Sequence, residues 1–513
     1  MTSSYDSFLA SFAQRRMWYL VNQAGAASLY HMPLCWRVTG EIDQQALEAA
    51  LRDLVERHEA LRTGFADDEG ELMQQVYPHA SLKLERLALA VSDEDARALR
   101  ESFERRGFDL RHPPLMRAAL VQLREAQPGV PRHDVLIVLH HLVADGWSIA
   151  ILMQELREGY RARRAGLQPD FAPLPIQYAD YAMWQREWLQ GAALEGQLRY
   201  WRDQLRDATP ALELPVDRTR EAELIHRAGT CRVRLDAACS TRLRQNAARQ
   251  GATLFMLLMA GWAITLARFS GQNDICIGYP VAGRTRPELE GVVGLFVNTL
   301  VLRVQIKPSQ TVDELVRDIR DAVLEADAHQ DIPFDRVVDA IRPASDPRRS
   351  PLFQTFFAFY SADSGAPSMR FAIDDALQAE PHVVEPEAPK FELSLDLRTE
   401  NGSVLGSIEY RADLLNAATV GMIAQVFQDV LAGIAEVPAS RLESLALIDE
   451  SGRRSLAQLW QHTSPARASF IPLHDAFRQR ALNEPERDAV ACGAAVLSYA
   501  QLDEKVCRTS AML

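Results

Sequence analysis

Cysteine is scarce in this chain and has no pattern. The 6 cysteines, at positions 35, 231, 239, 276, 492 and 507, form no CxxC pair and no ladder. That excludes a disulfide framework and a zinc-ribbon site, and it points to a reducing cytoplasm. Long apolar runs are missing too. The longest, residues 254–264, is far short of the ~20 residues a bilayer span needs, so it reads as a buried helix and no membrane association is expected. The opening MTSSYDSFLA lacks the basic-then-apolar build of a secretion signal. There is no basic excess: the net charge is −13, which argues against a nucleic-acid surface. No G-x-S-x-G elbow and no recognisable catalytic-cysteine context is present, so an acyl-enzyme intermediate is not expected.

What is present is an ordinary globular composition, 47% apolar and 24% charged over 513 residues. That length suits three to four domain-sized units or a large two-lobed enzyme. The stretch around which the chain is organised is 135–148, VLIVLHHLVADGWS. Five apolar residues suit a buried strand. His140 and His141 follow, then Asp145 and Gly146, and from residue 149 a helical pattern runs to about 164.

Elements alternate on either side. Residues 11–20 form a first amphipathic helix, and 35–38 a short strand. Asp43 caps a helix that ends in RHEALRTGF (57–65), where Arg57 and Arg62 sit among apolar residues. A semi-buried arginine needs a carboxylate, and Asp145 is a candidate partner. Residues 66–88 read as a hairpin, 92–106 as a helix and 115–123 as a strand. A long helical stretch covers 174–205, with Tyr178, Tyr181, Trp184 and Trp188 at helical spacing as core. Further on, 230–235 and 275–279 are strands, 237–250 and 253–269 helices, and 293–304 a strand holding the amide Asn298. A helix follows from 312. Strands at 353–360, 391–397 and 403–410 come next, the last pair joined by the turn Asn401-Gly402. Residues 361–389 read as an extended excursion, and a helix at 417–435 closes the second lobe. The fold class is therefore mixed α/β (α+β), with lobes at 1–172 and 173–450, a linker at 451–472, and a further αβ start at 473–513.

Three readings of the histidine pair compete. A metal site would need more ligands than HHxxxD supplies. A structural role for one or both imidazoles is open. The third is acid–base or polar catalysis in acyl transfer by a neutral imidazole titrating near working pH. In that reading Gly146 permits a tight turn and close approach of its N–H.

These residues carry a resemblance. HHLVADGWS resembles the HHxxxDG core motif of condensation domains of nonribosomal peptide synthetases. SFAQRRMWYL (11–20), RHEALRTGF (57–65), YADYAMW (178–184), VGLFVNTLVLR (293–303), HQDIPFD (329–335) and RPASDPRRSPL (342–352) resemble the family's other core motifs, in order. The resemblance spans about residues 8–450. It implies two lobes like chloramphenicol acetyltransferase, arranged as a V around a central tunnel. His141 would act in catalysis, with His140, Asp145 and Gly146 in the same motif and Arg57, Arg62, Trp147 and Asn298 as support. No metal or resident cofactor is implied. The partners would be an aminoacyl carrier protein as acceptor and an acyl-CoA or acyl carrier as donor, each bringing a thioester on the phosphopantetheine arm of its carrier or on CoA. Residues 473–502 resemble the opening of an adenylation domain, which would follow downstream.

Aspartate-rich cyclising relatives and epimerising relatives without the glycine do not fit, which leaves amide formation. Because the first motif lies about ten residues from Met1, a donor in trans is expected. That favours a starter domain that acylates the first amino acid with a fatty acyl group. An elongation domain taking a peptide from another polypeptide, and a catalytically silent carrier-binding platform, are the alternatives.

Overall fold

The histidine-bearing strand lacks the alternation of a half-buried strand because it is buried on both faces. Arg132–His140 is the middle strand of a five-stranded sheet. Val135, Ile137 and Leu139 face the first core, built with helices Gln44–Arg57 and Gly146–Arg164. Leu136 and Val138 face the other way, against Ala96 and Phe103 of helix Asp93–Arg105. The computed structural model describes residues 5–22, 28–125, 129–220, 228–342, 346, 348–361, 377–382, 389–437, 439–445 and 472–512. They fall into two compact units, Met1–Leu447 and Ile448–Leu513.

In the first sheet the order is Gln378–Pro381, His31–Thr39, Arg132–His140, Met116–Leu123, Leu84–Ala90, antiparallel except for the last pair. A six-stranded sheet of the same unit runs Asn298–Gln305, Asp274–Val281, Thr355–Tyr360, Leu393–Glu400, Ser403–Arg411, Ala228–Leu235. Its core face packs on Leu254–Ser270, a helix with Met256 to Ala267 buried on all sides, and on Ala417–Glu436. By length and composition Ala417–Glu436 could cross a membrane. Here Val420, Ile423, Phe427, Val430 and Ile434 fill the second core instead. The smaller unit carries helix Leu473–Asn483, a hairpin of Asp488–Cys492 with Ala495–Ser498, and helix Tyr499–Ser510.

Several elements differ from the sequence reading. Residues 293–297 are not strand. The strand begins at Asn298, and Val292, Val293, Leu295 and Phe296 pack in the first core. The helical stretch 174–205 is broken at Gly191, whose φ of 52° separates Tyr178–Trp188 from Gly191–Gln204. The hairpin is Thr63–Asp68 with Glu71–Val76, while Leu84–Ala90 belongs to the first sheet. A short helix, Phe334–Ile341, went unread. Within 361–389, residues 378–381 supply the edge strand of the first sheet. The expected linker 451–472 lies almost wholly outside the described residues. A lobe boundary at residue 172 also misses chain from beyond it, since Tyr178, Tyr181, Phe296 and Leu377 belong to the first core.

Candidate active site

The strand ends at His140, and its partner strand begins with His31 directly opposite. His140 is buried at 1% exposure, its ring 5.9 Å from those of His31 and Phe108. Its Nδ1 accepts the Leu142 N–H at 3.1 Å, which leaves the ring proton on Nε2. Burial, then His31, His141 and Arg117, hold its pKa down to about 3. This imidazole is neutral and braces the turn.

His141 is only half buried. Its backbone N–H donates to the Tyr30 carbonyl at 3.0 Å. Burial and the Lys390 charge lower its pKa to about 4, against Asp145 and the carbonyls of His141 and Ala144, which favour the cation. The sequence suggested titration near working pH. Desolvation takes the ring well below that, so at neutral pH it offers a neutral imidazole.

Asp145 caps helix Gly146–Arg164. Its Oδ1 accepts the Ser148 N–H at 2.8 Å and the Ser148 hydroxyl at 2.7 Å, and its Oδ2 accepts the Phe296 N–H at 3.0 Å. A carboxylate suits a helix N-terminus, and Arg161, Arg163 and Arg164 suit the other end. Its cation is Arg284, whose Nη2 lies 3.2 Å from Oδ1, with both side chains at 1–2% exposure. The expected partners are elsewhere. Arg57 donates to Glu155 at 3.0 Å, which His58 also contacts. Arg62 binds the Tyr77 carbonyl and Glu59. Each arginine is thus satisfied by partners other than Asp145.

Arg284 also donates to the carbonyls of Leu289 at 2.6 Å and Val292 at 2.7 Å, and its guanidinium lies 4.0 Å from the Phe296 ring centroid. Trp147 Nε1 donates to the Glu290 carbonyl at 3.0 Å. The Gly294 N–H donates to Ser148 Oγ at 3.1 Å. The loop 284–296 is thus clamped onto the histidine turn. Gly294 is required for this, because a Cβ there would meet the Tyr178 ring at 1.8 Å. Asn298 holds a different corner: its amide donates to the carbonyls of Gln330 and Ile332 at 2.9 and 2.7 Å.

Gly146 has a different role from a tight turn. It is the first helical residue, is not in the positive-φ region, and a Cβ there would meet nothing within 4 Å. Its exposed backbone beside His141 leaves room for another molecule. The sequence reading therefore brought together His140, His141, Asp145, Gly146 and Trp147. It missed Arg284, Ser148 and the loop carrying Gly294 and Phe296. The one available signal was an arginine in the loop just before VGLFVNT.

The model of the condensation-domain family matches residues 5–457. Malpinin synthetase of Mortierella alpina is 34% identical over 501 residues, 97% of this chain and 6% of that protein. The chain thus spans a small part of the curated relatives it matches. Among solved structures, the complex of the X-domain and OxyB from teicoplanin biosynthesis matches at TM-score 0.75 and 30% identity, covering 86% of this chain and 96% of that one. A four-domain nonribosomal peptide synthetase bound to AMP and glycine shares the fold at TM-score 0.84 and 21% identity, over 98% of this chain and 38% of that one. The chain belongs to the condensation-domain family of nonribosomal peptide synthetases, the amide-bond-forming acyltransferases.

Proposed function

We propose that this chain joins a donor acyl thioester to the amine of an aminoacyl thioester, each on the phosphopantetheine arm of a carrier protein, at His141. The observation that carries the reading is a partly buried, neutral imidazole at the end of a buried strand, in a turn locked by the Asp145–Arg284 pair. A neutral ring can orient the amine and accept its proton late, as the tetrahedral intermediate forms. No covalent enzyme intermediate is needed. The exposed backbone at Gly146 offers an N–H beside that intermediate.

A peptidyl donor is supported by relatives named a dimodular nonribosomal peptide synthase and a probable non-canonical nonribosomal peptide synthetase. A fatty acyl donor, from CoA or a carrier, is the starter version. A partner-binding platform is the second reading, supported by the 30% identity to an X-domain crystallised with OxyB. Residues 473–513 are read as the opening of an adenylation domain, from their resemblance alone.

One assay separates these. The protein is given an aminoacyl carrier with either octanoyl-CoA or a peptidyl carrier, and amide is followed by mass spectrometry. The peptidyl arm is expected to give product, and His141→Ala to lower its rate by about 10²–10⁴-fold. Product only with octanoyl-CoA would establish the starter version. Amide from neither donor would favour the platform, and near-normal turnover of His141→Ala would remove His141 from the chemistry.

A further inference from the structure

A cleft of about 330 Å³ opens at the histidine end of the first sheet. Its floor is Met116 and Arg117, the first residues of the strand Met116–Leu123, which pair with Leu139 and Val138. Its walls come from the segments 81–85 and 106–114. Phe108 is the wall shared with the histidine turn. Its ring stands nearly perpendicular to those of His31 and His140, at 5.1 and 5.9 Å. The Arg117 guanidinium lies 4.1 Å from the Phe108 centroid. Phe108 thus touches the cleft, Arg117 and His140 at once.

Arg117 is 7% exposed. A cation so buried ordinarily has a carboxylate against it. Among the described residues no carboxylate lies within ion-pair distance of Arg117. Its Nη2 donates to the carbonyls of Phe103 and Glu104, both at 3.0 Å, at the C-terminal end of helix Asp93–Arg105. A cation suits that end, and Nη2 alone fills the role. Nε is sealed without a partner. Nη1 makes no hydrogen bond among the described residues and is not sealed, so it is the nitrogen turned to the cleft. Burial, then repulsion from Arg106, lowers the Arg117 pKa to about 10, against Glu85 and Glu104. The two acids that line the cleft are already engaged. Glu85 accepts from both terminal nitrogens of Arg106, one at 2.9 Å. Asp109 accepts from His112 Nδ1 at 2.8 Å and from the Arg111 N–H at 3.1 Å. Lys83, on the opposite wall segment, is exposed and makes no ion pair among the described residues.

We propose that this cleft binds a phosphate group, with Arg117 Nη1 and Lys83 as the cations that hold it. Both line one cleft, and a phosphate dianion accepts charge-assisted hydrogen bonds from both. It supplies the counter-charge that a buried guanidinium needs. The cleft also has more room than a bare oxyanion fills, and it falls in the size range of small-ligand sites. Leu82, Phe108, Pro114 and Met116 give it an apolar lining against which an attached organic group can pack. The occupant is therefore free phosphate or a small phosphate ester. The site lies on the sheet face of Val138, where Arg117 meets Phe103. It does not depend on the chemistry at His141.

The test uses the whole chain and isothermal titration at constant ionic strength, with inorganic phosphate, phenyl phosphate and chloride as probes. Phosphate is expected to bind saturably at one site, and chloride is not. Arg117→Met should weaken phosphate binding by about 30-fold or more. That variant also frees the end of helix Asp93–Arg105, so a second one carries the test if it folds poorly. Lys83→Glu changes an exposed side chain, should melt like the wild type, and should weaken binding by about ten-fold through repulsion. Tighter binding of phenyl phosphate than of phosphate, lost in the same variants, would assign an ester as the occupant. Binding no tighter than phosphate would assign the free anion. Absence of saturable binding overturns the proposal, and so does an affinity that Lys83→Glu and a folded Arg117→Met leave unchanged.

Discussion

His140 and His141 are adjacent in sequence, yet the fold gives them opposite duties. His140 is sealed among aromatic rings and fixed as one tautomer, so its loss should act on stability, whereas loss of His141 should act on rate. The buried ring also makes the protein acid-sensitive. Its folded pKa of about 3 is below the ordinary 6.5, so as pH falls through that window the unfolded chain binds a proton the folded one refuses. Stability is expected to be full above pH about 6.5 and to drop by on the order of 3–5 kcal/mol as pH falls toward 3. Denaturation at stepped pH should show this drop, and His140→Gln should blunt it. Arg284 offers a second test at this scale. Arg284→Ala leaves the Asp145 carboxylate buried without its cation and should cost about 3–5 kcal/mol by chemical denaturation. Arg57→Ala, whose partner Glu155 is not at the site, should leave the histidine turn and the rate intact.

At the scale of elements, the capped helix Gly146–Arg164 and the loop 284–296 act as one clasp. Gly146→Ala separates fold from access. Nothing would meet the new methyl, and alanine is the better helix former by about 1 kcal/mol, so stability should hold or rise. A fall in kcat/KM with unchanged melting would then show that a substrate approaches this backbone. Gly294→Ala should do the reverse. Its methyl collides with Tyr178, displacing the loop at a cost of about 1–3 kcal/mol and loosening the Arg284 clamp. The helices and strands themselves were largely legible. Asp43, Ser92 and Thr311 cap helices that sequence spacing suggests, and Asn401-Gly402 turns with φ of 49° and 80° as such a dipeptide should. Residues 293–297 misled, because an apolar run packed as irregular chain in a core looks the same as a strand.

At the scale of the molecule, the first core is not built by the first 172 residues alone. Tyr178 and Tyr181, Leu289 to Phe296, Leu377 and the edge strand Gln378–Pro381 all come from later chain. A fragment ending at residue 172 is therefore expected to remain loosely packed. It should bind ANS and lack near-UV circular dichroism, while the full chain shows a fixed core. Intact near-UV signal in that fragment would show that the later residues are dispensable.

The order of elements, the buried histidine strand, the capping Asp43 and the histidine motif itself were determined by sequence, because each rests on local periodicity or on neighbours a few residues apart. The partner of Asp145 and the lowered pKa of His141, with the Lys390 charge acting on it, were decided only by tertiary structure. Ion pairing and desolvation depend on which groups come within a few ångströms. Asp145 and Arg284 are 139 residues apart along the chain, and no local pattern encodes their meeting.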